Sequence, residues 1–282
     1  NPVSMLDADG DFIFEGFLPF SSSTGSNPVV IVDDNGKATM VRERYNYPNG
    51  YAVFASTFSK PLEINIDAGN EFIVNSTTSH DQESPDIAQN ADGDFVVVWL
   101  DSYAASYSYY NIKAQRYNEN GIRVGGEILV NNETDQLASD PAVSLDDQGN
   151  FMVVWTATDI SGGQNQDIIG SVIDWEGNTI KDDFIINEEV NYEQYNADIA
   201  LNPEGDFIVI WSERYESDYQ WNKVFGQAIS SVGVPNENGN QELVDLELSP
   251  NYNPKAAIAI NGSGNIGLPV LYTGEGSYLD FY

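Results

Sequence analysis

Three stretches of the chain repeat one pattern: SPDIAQNADGDFVVVW (84–99), DPAVSLDDQGNFMVVW (140–155) and NADIALNPEGDFIVIW (196–211). Each begins 56 residues after the one before it. The glycine of the pattern recurs at steps of 57, 56, 56 and 59 residues, at Gly36, Gly93, Gly149, Gly205 and Gly264. Repetition at this period predicts a fold built from one structural unit, in which neighbouring units bury a shared core.

Each unit reads as four β-strands, named a to d here. In the unit from 84 to 131, strand a is PDIAQ, strand b is FVVVW, strand c is NIKAQRY and strand d is GGEILVN. Strand b is a continuous run of Val, Ile, Met and Phe, which is typical of strands buried on both faces. Glycine in turns such as NADGD accepts the positive φ that tight hairpins require. The end of strand d also repeats, at Asn75, Asn131 and Asn187.

Four-stranded antiparallel units of about 56 residues are typical of β-propeller blades, with a solenoid as the alternative. The two ends of the chain favour the propeller. Residues 3–20 match strands c and d, and residues 253–270 match strands a and b. We therefore predict an all-β domain, 1–282, that is a five-bladed propeller whose last blade is closed by the N-terminal c and d strands. The predicted blades are 27–75, 84–131, 140–187, 196–248, and 253–282 together with 1–20.

This closure depends on where the numbered chain begins and ends. On the repeat alignment, the last residue corresponds to Asn111 and the first to Ile112, so that the second half of one blade precedes its first half. If the chain is a piece of a longer repeat array, the match of its ends is a coincidence.

The segments VNSTTSHDQESPDIAQNADGDFVVVW (74–99) and NIKAQRYNENGIRVGGEILVN (111–131) carry the pattern Q-x-x-P-x-V-A followed by D-G-x-F-V-V-x-W best. This pattern resembles a repeat of large secreted and cell-surface proteins of bacteria. The resemblance covers most of the chain, three blades strongly and two weakly. It implies a secreted or surface-exposed protein, and it implies no single activity.

The composition limits the partners that the protein can have. The chain has 44 acidic and 11 basic residues, a formal net charge of −33 at pH 7. Nucleic acid and anionic membranes are therefore not expected as partners, because both require clustered Lys and Arg. The charge suits a salty medium or cation binding. Cysteine is absent, which excludes disulfides, thiolate metal sites and Cys nucleophiles.

One end of the predicted disk carries the long loops, and binding sites tend to lie on such loops. Tyrosines and acidic residues crowd the b–c loops of this end. Aromatic rings beside acids and amides suit a glycan, although amphipathic rings can equally cover the tops of the blades. The ligand-binding candidates on this end are Asp101, Tyr103, Tyr109, Tyr110, Glu213, Tyr215, Tyr219 and Trp221.

Strand a is the innermost strand of a propeller blade, so its residues are expected around the central channel. Its second position across the blades is occupied by Val29, Asp86, Ala142, Asp198 and Lys255. Asp86 and Asp198 are the catalytic candidates if the protein is an enzyme, because glycoside hydrolysis uses two carboxyl groups. Lys255 is a further ligand-binding candidate. A cation site and a structural ion cluster are the alternatives.

We expect no cofactor and no metal site, with calcium as the one alternative. The alternating carboxylates of DADGD (7–11) fit the start of an EF-type loop, but the twelfth position is Leu18 rather than Glu. NADGD (90–94) departs from the pattern in the same way, with Asp101 there. The chain has one histidine, which argues against a His-rich zinc site and against a catalytic triad.

Together these patterns favour a non-catalytic, secreted or surface-exposed propeller that binds a glycan or another extracellular partner through its loop-rich end. The first alternative is a glycoside hydrolase active on polysaccharides, with carboxylates at the channel mouth. The second is a structural domain of a large adhesin. The b–c loops differ strongly between blades, which argues against a lectin with equivalent sites in several blades.

Overall fold

A computed structural model of the chain is built from β-strands, and the residues it describes contain no helix, hence none able to cross a membrane. The described residues are 2–6, 12–17, 28–32, 37–46, 50–58, 71–102, 110–132, 137–158, 165–214, 222–246, 253–261, 263–273 and 278–281.

The strands are numbered here in chain order. They are β1 (Pro2–Leu6), β2 (Phe12–Phe17), β3 (Val29–Val32), β4 (Ala38–Tyr45), β5 (Tyr51–Phe58), β6 (Phe72–Ile73), β7 (Gln82–Gln89), β8 (Phe95–Ser102), β9 (Tyr110–Tyr117), β10 (Arg123–Leu129), β11 (Ala138–Leu145), β12 (Phe151–Thr158), β13 (Gln166–Ile173), β14 (Thr179–Ile185), β15 (Glu193–Leu201), β16 (Phe207–Arg214), β17 (Asn222–Ile229), β18 (Gln241–Leu246), β19 (Asn253–Ala256), β20 (Ala259–Ile260), β21 (Ile266–Gly267), β22 (Pro269–Thr273) and β23 (Tyr278–Phe281).

Four antiparallel sheets of four strands form the body of the molecule, as the repeat predicts. They are β3–β6, β7–β10, β11–β14 and β15–β18, each paired in chain order and named here the first to the fourth blade. Strands β19, β22 and β23 form a three-stranded fifth sheet, and β20 pairs with β21 beside it.

The prediction of five closed four-stranded blades is confirmed only in part. The N-terminal strands β1 and β2 do pair as an antiparallel hairpin. Among the described residues, however, this hairpin is a separate two-stranded sheet and is not paired with the fifth sheet. The fifth sheet instead takes β23 from the C-terminal segment as its third strand.

Strand b of each central blade is buried on both faces, as its continuous apolar sequence predicts. In β8, the side chains of Phe95, Val97 and Trp99 pack against the first blade, whereas Val96 and Val98 pack against the third. The same alternation in β12 and β16 gives one apolar cluster at each junction between consecutive blades. A smaller cluster joins the fourth blade to the fifth sheet.

The predicted glycine turns are confirmed at Gly93, Gly149, Gly205 and Gly264, whereas Gly36 lies outside the described residues. In the a–b turn of the second blade, Asn90 N donates to Asp94 O at 3.0 Å and Gly93 N donates to Asn90 O at 3.0 Å. Gly93 has φ +87°, a left-handed conformation that glycine adopts without the steric cost of a Cβ atom. The same pair of bonds recurs in the a–b turns of the third and fourth blades and of the fifth sheet.

Candidate functional site

A β-bulge interrupts strand a in three blades, two residues before the position singled out in the sequence. Ser84, Asp140 and Asn196 adopt φ values of +49°, +50° and +53°. The pairing register of strands a and b shifts at each of these points. Asp and Asn enter the left-handed region more readily than most residues. Because a bulge bends its strand and redirects side chains, it sets the direction of the residues that follow.

The strands a of five sheets surround one cavity of about 500 Å³. Its wall includes the equivalent residue of every strand a, namely Val29, Asp86, Ala142, Asp198 and Lys255. All five of these positions thus line one cavity. A second cavity of about 640 Å³ lies further along the same strands and is lined by Gln89, Ser144 and Leu201 among others.

Each aspartate of the first cavity is held by the backbone of the next sheet. Val143 N donates to Asp86 Oδ2 at 2.8 Å. Ile258 N donates to Asp198 Oδ2 at 2.8 Å. Both carboxyl groups are thus fixed in orientation before any ligand binds, and they also tie neighbouring strands a together. Preorganised groups of this kind are what a catalytic site requires.

The two carboxyl groups differ in what surrounds them. Burial and then the charge of Asp198 raise the pKa of Asp86 to about 7. The N–H groups of Val143 and Ile87 and the charge of Lys255 act in the opposite direction and lower it. Burial raises the pKa of Asp198 too, opposed by N–H groups of the next sheet and its own strand and by Lys255. Near neutral pH, Asp86 can therefore carry a proton.

Asp140 is a third carboxylate at this mouth, and the sequence analysis missed it. It lines the cavity from the bulge of β11 and is exposed. A signal was present in the sequence, because Asp140-Pro141 aligns with Ser84-Pro85, directly before a wall residue.

Asp101 and Glu213, predicted as ligand-binding residues, occupy equivalent buried positions near the ends of β8 and β16. Gln82 Nε2 donates to Asp101 Oδ1 at 3.1 Å, and Gln194 Nε2 donates to Glu213 Oε2 at 3.1 Å. Asp101 Oδ2 also pairs with Lys113 Nζ at 2.6 Å. Neither residue lines the described part of the cavity, and both carboxylates are engaged by partners within their own blade.

The repeated asparagines at the ends of strands d complete this arrangement. The side-chain oxygens of Asn75, Asn131 and Asn187 accept from the N–H of strand c, at 2.9, 2.7 and 2.7 Å. Asn75 and Asn187 also donate to Gln82 and Gln194, at 2.9 and 3.4 Å. We name each Asn–Gln–acid set, Asn75–Gln82–Asp101 and Asn187–Gln194–Glu213, a blade clasp. Two asparagines of the sequence repeat, Asn75 and Asn187, thus link consecutive blades.

The remaining predicted residues are distributed as follows. Lys255 is exposed at the cavity wall. Tyr110 is half-buried against the core shared by the second and third blades. The other aromatic candidates, Tyr103, Tyr109, Tyr215, Tyr219 and Trp221, lie outside the described residues.

Within the described ranges, no group of three or more His, Asp or Glu side chains could hold a metal ion. The DADGD segment considered for calcium (7–11) lies outside those ranges. In NADGD (90–94), Asn90 Oδ1 accepts from Asp94 N at 3.0 Å, and Asp94 Oδ1 accepts from Glu119 N at 3.0 Å. These bonds are those of a polar tight turn.

Solved structures match this architecture. An α-L-arabinanase of Penicillium chrysogenum, solved with arabinobiose, has a TM-score of 0.63 and 13% identity over 98% of this chain and 84% of its own. An endo-arabinase of Bacteroides thetaiotaomicron has a TM-score of 0.57 and 13% identity over 92% and 94%. An α-L-arabinofuranosidase of Lactobacillus brevis has a TM-score of 0.56 and 11% identity over 90% and 89%.

No protein-family model and no curated protein sequence matches the chain. At these identities the structural matches show the fold, which is that of β-propeller glycoside hydrolases. They correct the leading expectation of the sequence analysis. The matched structures are those of two arabinanases and an arabinofuranosidase, so the expectation of a propeller that only binds is not favoured.

Proposed function

We propose that the protein is a glycoside hydrolase whose active site is the cavity at the centre of the five strands a. The observation that carries this proposal is the placement of Asp86 and Asp198 on the wall of one cavity, each fixed by a backbone N–H of the next sheet. Glycoside hydrolysis uses one carboxyl group as an acid and a second as a base or nucleophile.

The environments of the two carboxyl groups suggest their roles. Asp86, whose pKa is raised to about 7, is suited to protonate the leaving oxygen as the glycosidic C–O bond breaks. Asp198, when ionised, is suited to take a proton from the attacking water or to attack the anomeric carbon itself. Asp140 at the mouth and Lys255 on the wall are placed to contact hydroxyl groups of the sugar.

The proposed substrate is a neutral, arabinose-containing glycan. Support comes from the matched structures, an arabinanase solved with arabinobiose among them. The formal charge of −33 disfavours polyanionic glycans, because like charges repel. We also propose that the five sheets close into a five-bladed ring and that the protein acts outside the cell, where polymeric glycans are found and where its acidic surface suits a salty medium.

The direct test is hydrolysis of debranched arabinan and of p-nitrophenyl α-L-arabinofuranoside, with and without calcium, followed by mass spectrometry of the products. We expect shortened products from the wild type, and a fall in kcat/KM of about 10²- to 10⁴-fold in Asp86→Asn and in Asp198→Asn. Asp92→Asn is the matched control, because Asp92 is exposed in a turn and is not a wall residue of either cavity.

Two results would contradict the proposal. Full activity in both cavity variants would exclude this cavity as the active site. No shortened product from arabinan, nor from a wider panel of neutral bacterial and plant polysaccharides, would exclude the hydrolase.

A further inference from the structure

We propose that Lys255 is a positioning residue that keeps Asp198 ionised and thereby leaves the proton of the pair on Asp86. This inference rests on the proposed function, since it assigns the two roles within that site. It depends on where the lysine stands relative to each aspartate.

The two aspartates have different neighbours at the same structural position. Asp198 accepts a hydrogen bond from Ile258, in the segment directly after β19, and the residue of β19 at the repeated wall position is Lys255. Asp86 accepts the equivalent bond from Val143 of β11, where the repeated wall position is Ala142 and the further wall residue Asp140 is an acid. Each aspartate is thus bonded to the next sheet, but only the sheet next to Asp198 places a cation at its wall.

The charges around the cavity include one cation. The charged residues of its described wall are Asp86, Asp140, Asp198 and Lys255. The positive charge of Lys255 lowers the pKa of both aspartates, while the negative charge of Asp198 raises that of Asp86. An ionised Asp198 therefore favours a protonated Asp86, because two nearby carboxylates resist being ionised together.

Because Lys255 is exposed, its charge can be changed by substitution without disturbing the packing of the core. Its ammonium group contributes charge to the cavity without a buried packing role, so a neutral replacement should preserve the fold. Arginine at the same place would keep the charge. A purely structural role for Lys255 would not distinguish arginine from methionine through the titration of the aspartates.

The test is a titration of the aspartate carboxyl groups by ¹³C NMR, without substrate, in the wild type, Lys255→Met and Lys255→Arg. Signals are assigned with Asp86→Asn and Asp198→Asn. We expect Lys255→Met to move the midpoint of Asp198 to higher pH by about 0.5 to 1 pH unit, with Asp86 following in the same direction. Lys255→Arg should keep the wild-type midpoints. Lys181→Met, an exposed lysine on the outer strand β14, is the matched control and should change neither.

Unchanged midpoints in Lys255→Met, or equal shifts in the methionine and arginine variants, would overturn the inference. A midpoint of Asp86 below that of Asp198 in the wild type would overturn it as well. On an active substrate, both limbs of the pH profile of kcat/KM should move to higher pH in Lys255→Met. Because the titration needs no substrate, a protein without hydrolase activity would refute the proposed function while the charge-setting role of Lys255 is still decided.

Discussion

Replacing Asp86 by asparagine should make the protein more stable at neutral pH than the wild type. The pKa of Asp86 is raised in the folded protein from an ordinary 3.8 to about 7. Between these values the unfolded chain is ionised at this residue while the folded chain still binds its proton, so stability falls as pH rises. The contribution of Asp86 to the free energy of unfolding is therefore complete below about pH 4 and is lost by about pH 7.

The size of this effect follows from the shift. A difference of about 3 pH units corresponds to about 4 kcal/mol of unfolding free energy. Asp86 is only half-buried and meets water in the cavity, so screening reduces the expected effect to about 2 to 4 kcal/mol. Asparagine has nearly the same shape and no charge to desolvate. It can still accept the bond from Val143 N through its carbonyl oxygen.

The measurement is urea unfolding of the wild type and Asp86→Asn from pH 4 to pH 8 at constant ionic strength. The difference in unfolding free energy should be small at pH 4 and grow in favour of the variant up to about pH 7. Asp92→Asn is the matched control for the substitution of an aspartate outside the cavity. A flat difference for Asp86→Asn would show that Asp86 ionises normally in the folded protein, and the proposed acid role would lose its basis.

Three further predictions concern the neighbours of this site and the blade junctions. Asp198→Asn removes the negative charge that raises the pKa of Asp86, so the ¹³C midpoint of Asp86 should fall below about 7; a rise would contradict the coupling. Gln194→Ala should lower the free energy of unfolding in urea by about 1 to 3 kcal/mol, because it leaves buried clasp partners without a hydrogen bond. A loss below about 0.5 kcal/mol, roughly that of a surface substitution, would show that the clasp is dispensable. Gly149→Ala should cost about 1 to 3 kcal/mol, because φ is +86° and a Cβ atom would lie 2.7 Å from Trp175 Cβ; an unchanged midpoint would mean that this turn relaxes freely.

The sequence predicts the blades well because their signals are local and repeated. The apolar strand b and the glycine turn lie within sixteen consecutive residues, and both are found as expected in the second, third and fourth blades. Closure of the ring is a property of distant segments. The β1–β2 hairpin was predicted, but the pairing of β22 with β23 rather than with β1 could not be chosen from patterns that only show which strand each segment resembles.

The candidate site was predicted in part for a similar reason. Asp86 and Asp198 could be placed on one wall because the repeat fixes their equivalent positions. Asp140 was missed because it stands two residues earlier, on a bulge that the alternation of apolar residues does not reveal. Asp101 and Glu213 were assigned to a surface because they adjoin loops. Their glutamine partners lie 19 residues before them in the chain, a relation that a pattern of single strands does not show.

The apolar junctions also bear on the order in which the chain can fold. Trp99, Trp155 and Trp211 each pack in a cluster completed by the preceding blade. During synthesis, each new blade can therefore pack at once on the apolar face of the folded blade before it. Its own opposite apolar face stays exposed until the next blade is made. Synthesis from the N-terminus would add blades one after another, and the tryptophan of each new blade would be buried at the junction with the preceding blade. A truncated chain would keep its earlier blades and lose its last, because the apolar face of that blade would be left in water.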